Sequence, residues 1–119
     1  MEAPSAILER LLAQDVGQRE VYYLKLSRDF FDGDWTYEEM ADIEADFERD
    51  FRAAVEQIST VWGAPAFTGD RTHSNFPDFF EAAELAYWRQ GNRLALIWWD
   101  HPDKELPVVL ALEVLGTSE

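Results

Sequence analysis

The chain of 119 residues contains no cysteine. This absence excludes disulfide bonds, thiolate metal sites and a cysteine nucleophile, and it fits a reducing compartment. The sequence also lacks any apolar run near the ~18 residues that a membrane span needs. Its first residues, MEAPSAILERLLAQ, have no basic region before the apolar stretch, so they do not predict a secretory signal. We therefore expect a cytoplasmic protein.

Basic residues are scarce. Ten Lys and Arg stand against 24 Asp and Glu, which gives a formal net charge of −14. This balance argues against direct binding to nucleic acids or anionic membranes, because both need a basic surface. It permits a basic protein partner, and it also keeps a protein soluble without any partner. The length and the 47% hydrophobic content predict one packed domain over residues 1–119, with a loose terminus at 1–4.

Residues typical of catalytic sites are few. Only two histidines are present. His73 lies in GDRTHSNF near Asp70 and Ser74, but the members of a catalytic triad normally converge from separate segments. We therefore predict no enzymatic activity, no catalytic residue and no cofactor.

Two acidic stretches offer oxygen ligands, and weak metal binding is left open at both. The first is DFFDGDW, whose glycine does not have the spacing of an EF-hand loop. The second is WDHPDKE, where a histidine could add a nitrogen ligand. The residues concerned are Asp29, Asp32 and Asp34 in the first stretch, and Asp100, His101 and Asp103 in the second.

The strongest helix pattern begins at Thr36. Thr36 followed by Glu39 forms a capping box, in which the threonine oxygen accepts an N–H of the first turn. Gly63 is a typical C-terminal stop. About 26 residues at 1.5 Å each predict a helix roughly 39 Å long. Its apolar positions are Met40, Ile43, Phe47, Phe51, Ala54, Ile58 and Val61. A short N-terminal helix is predicted after Ser5, which we assign as its N-cap.

Several segments have the composition of strands. Residues 84–90 and 93–99 flank the pair Gly91-Asn92, which predicts a hairpin that pairs Gln90 with Arg93 and Trp88 with Ala95. The final apolar run, LPVVLALEVL, would complete a C-terminal antiparallel meander of three strands.

Residues 19–27 predict a further strand, which pairs either at an edge or with the last strand. Residues 64–75 predict a loop, in which a short edge strand near 66–68 is left open, and a short helix is expected over 77–83. The predicted fold is α+β: an antiparallel sheet of about four strands, packed with a long central helix and a short N-terminal helix.

The last two strands are apolar on both faces, and neighbouring side chains such as Trp98 and Trp99 point to opposite faces. Such strands are covered on both sides or expose a functional face. The helices could cover both faces. Alternatively, a second subunit or another partner could cover one of them.

Carboxylates dominate residues 29–50, where ten of them accompany a single base, Arg49. Four recur at i, i+4 spacing along the long helix: Glu38, Asp42, Asp46 and Asp50. Like charges at this spacing destabilise a helix by a few tenths of a kcal/mol per pair. The sequence indicates no intramolecular partner for this ridge. We therefore interpret the ridge as a solvent-facing docking surface for a cationic protein. The alternative is a solvated helix face with no partner.

In overall character the chain resembles the cognate immunity proteins of bacterial toxin systems, which are small, acidic and cysteine-free. The resemblance rests on the acidic segment 29–50 and on the aromatic-rich ELAYWRQGNRLALIWWDHPDKELP. It implies a stoichiometric, non-enzymatic inhibitor that blocks the active site of a basic toxin, typically a nuclease.

The predicted function is therefore a protein-binding inhibitor. The alternatives are an adaptor or chaperone-like homodimer that uses an apolar sheet face, and a small-molecule binder with a pocket of tryptophans. The predicted partner-binding residues are Glu38, Asp42, Asp46, Asp50, Trp88, Trp98, Trp99, Asp100 and Asp103.

Overall fold

A computed structural model of the chain describes residues 3–13, 20–27, 30, 33, 35–77, 81–103 and 105–116. Its helices and strands are α1 (Pro4–Leu12), β1 (Glu20–Leu26), α2 (Tyr37–Trp62), β2 (Phe67–Asp70), β3 (Glu84–Gln90), β4 (Arg93–Asp100) and β5 (Val109–Gly116). The α+β class, the long central helix and the short N-terminal helix are confirmed. Within these residues, neither helix is long and apolar enough to cross a membrane.

The strands form one antiparallel sheet in the order β1-β5-β4-β3-β2. The predicted hairpin register is confirmed, because Gln90 pairs with Arg93 and Trp88 with Ala95. Gly91 adopts the positive φ of 64° that this two-residue turn requires. The sheet has five strands rather than about four, because the short β2 pairs with β3 along one edge. β1 pairs with the last strand and forms the other edge.

Both helices pack on one face of the sheet. The apolar stripe of α2 enters the core through Met40, Phe47, Phe51, Ala54 and Ile58. At the C-terminal end of α2, Trp62 packs against Trp88 with ring centroids 6.1 Å apart. Val61, one of the predicted apolar positions of this helix, is instead 54% exposed. Gly63 ends the helix with φ 85°, as its position predicted.

The opposite face of the sheet holds a second, smaller cluster. Leu85, Leu94 and Leu96 are buried there, and Trp98 and Phe76 pack against them. Neither described helix contributes to this cluster. Part of the cover comes from Phe76, in the connection between β2 and β3. The two neighbouring tryptophans are therefore covered differently, Trp99 by the helix layer and Trp98 by this cluster.

Two local predictions were wrong. Ser5 is not the N-cap of α1, because Pro4 suits the first helical position and the helix begins there, after Ala3. The main chain and side chain of Ser5 instead bond to the side chain of Gln57, and this ties α1 to α2.

The helix predicted over 77–83 does not extend through 81–83. Residues 81–83 are not helical, and the N–H of Ala83 donates to Trp99 O of β4 at 2.9 Å. Residues 78–80 lie outside the described residues, as do Met1 and Glu2 of the predicted loose terminus and the acidic set Asp29, Asp32 and Asp34.

Candidate protein-binding surface

The first turns of α2 present carboxylates to solvent. Thr36 lies in an extended conformation and its Oγ1 accepts the N–H of Glu39 at 3.1 Å, which starts the helix as predicted. Glu38 and Asp42 follow and are exposed. Among the described residues, no ion pair involves either carboxylate. We call the exposed residues Glu38, Glu39 and Asp42 the acidic helix surface.

The i, i+4 ridge does not stay on the solvent side of α2. Each step of four residues rotates by about 40° around a helix of 3.6 residues per turn. Three steps therefore carry the ridge about 120° around the axis, from Glu38 to Asp50. At its far end the ridge faces β1, where Lys25 Nζ lies 2.6 Å from Asp46 Oδ2 and 2.6 Å from Asp50 Oδ2.

Lys25 is held by several groups at once. Its ammonium lies 4.6 Å from the centroid of the Phe47 ring, within the range of a cation–π contact. Burial acts to lower the pKa of Lys25, but hydrogen bonds and attraction from Asp46 and Asp50 outweigh it and raise the pKa above its ordinary value. The hydrogen bond and charge of Lys25 in turn lower the pKa of Asp46, and Arg49 adds to this effect.

The expectation that the ridge has no intramolecular partner is therefore wrong for its second half. The like-charge repulsion between Asp46 and Asp50 is relieved inside the molecule by Lys25. Both side chains nevertheless remain partly open to solvent, 42% and 44% exposed. The solvent-facing half of the ridge consists of Glu38 and Asp42.

The tryptophans have mainly structural positions. Trp88 is 3% exposed and its Nε1 donates to Gly63 O at 2.9 Å, which joins β3 to the end of α2. Trp99 is also buried and donates to Glu84 Oε1 at 3.1 Å. A partner cannot reach these two indoles unless the core opens. Trp98 is half-buried on the opposite face.

Trp98 has a partner that sequence reasoning missed. Its Nε1 donates to Glu113 Oε1 at 3.0 Å, and Glu113 is 0% exposed. Buried carboxylates require hydrogen-bonding partners, since desolvation of the charge is costly. The only sequence signal is a single acidic residue inside the apolar run LPVVLALEVL.

The residues around His101 do not converge on one point. Asp100 accepts from Arg71 at 2.8 Å, and Asp103 accepts the N–H of Glu105. His101 Nδ1 lies 2.6 Å from Glu44 Oε2, and its Nε2 lies 2.9 Å from the carbonyl of Leu106. Within the part of the chain that the structure describes, no three His, Asp or Glu side chains form a group that could hold a metal.

His73 also lacks the geometry of a triad. Its Nδ1 accepts the N–H of Asn75 at 3.0 Å, so the ring nitrogen stabilises its own turn. Its ring packs edge-on against Phe67, with centroids 5.3 Å apart. Asp70 is occupied by the N–H and hydroxyl of Thr72. These contacts are typical of a polar surface turn.

β1 carries exposed apolar side chains that are not among the predicted partner-binding residues. Tyr22 is 40% exposed on the helix-facing side, and Tyr23 and Leu26 are each 57% exposed on the other. The signal was available in REVYYLKLS, which is apolar on both faces although the strand lies at a sheet edge.

A groove separates β1 from α2. Its volume is about 410 Å³. Leu24, Leu110, Ala53 and Ala54 provide an apolar lining, and Asp50 lies at its border with Lys25. The helix layer thus does not fully cover the helix-facing side of β1.

Comparison of the chain with protein-family models, with curated proteins and with solved structures finds no match. The function is therefore inferred from the surface itself.

Proposed function

We propose that the chain is a non-enzymatic inhibitor that binds a basic protein, in the manner of an immunity protein that neutralises a toxin such as a nuclease. The observation that carries this proposal is the acidic helix surface, where Glu38 and Asp42 are exposed without ion pairs among the described residues. A net charge of −14 supports the same choice of partner, because it attracts basic proteins over long range.

The location of these carboxylates also supports binding. Glu38 and Asp42 lie on the first two turns of a 26-residue helix whose other side is fixed in the core by Phe47 and Phe51. A rigid element presents charges with little loss of conformational entropy on binding. Exposed charges of this kind mainly accelerate association and select the partner.

The sheet-face homodimer receives less support than the inhibitor. The apolar face opposite the helices was the surface expected to dimerise, but Leu85, Leu96 and Glu113 are fully buried there within one chain. A tryptophan-lined ligand pocket is also weakly supported, because Trp88 and Trp99 are packed in the core.

The resemblance to immunity proteins directs the search for the partner to the reading frame beside this chain's gene. We expect that frame to encode a basic protein whose activity is abolished by one equivalent of this chain. A charge-reversal variant, Glu38→Lys with Asp42→Lys, should inhibit less well. A matched control, Glu9→Lys with Glu56→Lys, makes the same change in net charge at exposed sites elsewhere.

Three results would contradict the proposal. The first is the absence of a basic protein beside the gene. The second is a basic neighbour that the chain neither binds nor inhibits. The third is equal loss of inhibition in the two double variants, since that would assign the effect to overall charge rather than to the acidic helix surface.

A further inference from the structure

The outer edge of β1 has no partner strand among the described residues. β1 ends the sheet, and no described residue pairs with its side away from β5. Ser27 N–H donates to Val108 O at 3.0 Å. In an antiparallel ladder, the neighbouring Leu26–Val109 pair then exchanges no backbone bonds, so the N–H and C=O of Leu26 point outward. An exposed edge of this kind is a template for a further strand.

The side chains on the two sides of this edge differ in character. On the side away from the helices, Tyr23 and Leu26 form an exposed apolar surface. On the helix-facing side, the groove between β1 and α2 has a mainly apolar lining and is bordered by Asp50 together with Lys25. β1 itself has a bulge between Tyr23 and Lys25, so regular pairing with an added strand is expected over the segment that follows it. There the side chains of the added strand would alternate between these two surfaces.

Charge selects the kind of strand that fits. Lys25 reaches Asp46 and Asp50 from the helix-facing side of β1, and Arg49 also pairs with Asp46, so a further basic side chain on this side would share carboxylates that already have partners within the chain. Both carboxylates remain more than two-fifths exposed, and an added strand would lie only about 4.8 Å beyond β1. A second copy of this chain is disfavoured, because each copy has a net charge of −14 and the pairing would bring their acidic surfaces together.

We propose that the outer edge of β1 binds an extended segment of a basic protein in which basic and apolar residues alternate. The basic side chains lie on the helix-facing side, towards Asp46 and Asp50, and the apolar side chains cover Tyr23 and Leu26. This inference rests on the proposed function, because it specifies which segment of the basic partner is recognised and by what chemistry.

A synthetic peptide tests this directly. The probe is an end-blocked peptide of about eight alternating lysine and valine residues, within the usual length of a strand. A matched peptide carries N-methyl groups on the amides of both edges and cannot donate hydrogen bonds to β1 in either orientation. We expect the unmodified peptide to bind at low salt, to shift the amide resonances of β1, and to bind about tenfold more tightly than the methylated one.

Two variants of the protein provide an independent test. Leu26→Pro removes the outward N–H and spares the ladder with β5, whereas Leu26→Ala removes only side-chain contact. We expect Leu26→Pro to bind the peptide about tenfold more weakly than Leu26→Ala, with both variants folded by circular dichroism. If Leu26→Pro fails to fold, the comparison of the two peptides on the unaltered protein still decides the matter.

The outcomes separate this inference from the proposed function. Equal binding of the two peptides, or resonance shifts confined to Glu38–Asp42, would overturn strand addition and leave the acidic helix surface as the docking site. A concentration-dependent dimer that Leu26→Pro dissociates would identify a second copy as the occupant and also overturn it. Peptide binding at β1, combined with equal inhibition by the charge-reversal and control variants, would sustain strand addition while the proposed acidic surface fails.

Discussion

Replacing Thr36 by alanine removes the cap that starts α2 and orients Glu38 and Asp42. The lost interaction is the 3.1 Å hydrogen bond from the N–H of Glu39 to Thr36 Oγ1. Both residues are exposed, so water can replace part of this bond. We therefore expect a loss of about 1 kcal/mol, within the range of about 0.5–2 kcal/mol known for N-caps.

This loss is large enough to measure. A chain of 119 residues has an unfolding entropy of about 0.25 kcal/mol/K, so about 1 kcal/mol lowers the Tm by about 4 °C. In urea, the midpoint should fall by about 0.5 M at a typical slope of about 2 kcal/mol/M. Thr36→Ser keeps the hydroxyl and should retain most of the stability. An unchanged midpoint for the alanine variant, or an equal fall for the serine variant, would refute the assigned cap.

The remaining predictions concern the ion pair, the core and catalysis. Because the pKa of Asp46 is lowered in the folded protein, its pair with Lys25 stabilises the fold above the ordinary carboxyl pKa of 3.8, and this stabilisation is lost as the pH falls through the lowered value. Lys25→Met should therefore flatten the acid limb of a curve of unfolding free energy against pH. An unchanged acid limb would contradict the pair. Trp88→Phe removes the hydrogen bond to a backbone carbonyl and part of a buried ring. We expect denaturant unfolding to show a loss of about 1–3 kcal/mol in the free energy of unfolding, with partner binding unchanged. A stable variant that binds less well would assign Trp88 to the interface. We expect purified protein to show no turnover of nucleic acid or ester substrates, and activity that disappears in His73→Ala or His101→Ala would overturn the non-enzymatic assignment.

Much of the fold could be predicted because its determinants are local. The two-residue turn at Gly91-Asn92 decides which residues of β3 and β4 face each other, so Trp88 opposite Ala95 followed from counting. The start and end of α2 followed from Thr36 and Gly63 for the same reason. Ser5 has the residue type of an N-cap, but Pro4 prefers the first helical position and so moves the start of α1 to follow Ala3.

The candidate surface was harder to predict, because it depends on how the helix layer lies across the sheet. Spacing alone shows that Asp46 and Asp50 share a ridge, but not that the ridge turns towards β1. Lys25 is 21 residues from Asp46 in the sequence, and their contact exists only once α2 has packed. Likewise, alternation places Trp98 and Trp99 on opposite faces but does not say which face the helices cover.

The association rate of the proposed basic partner at two salt concentrations tests the central claim most directly. The double variant Glu38→Lys with Asp42→Lys should associate about tenfold more slowly than the unaltered chain at about 0.05 M salt. The difference should shrink at about 0.5 M salt, where exposed charges are screened. The control Glu9→Lys with Glu56→Lys should retain most of the rate. An unchanged rate for the first variant at low salt, or equal slowing in both, would contradict a docking role for the acidic helix surface.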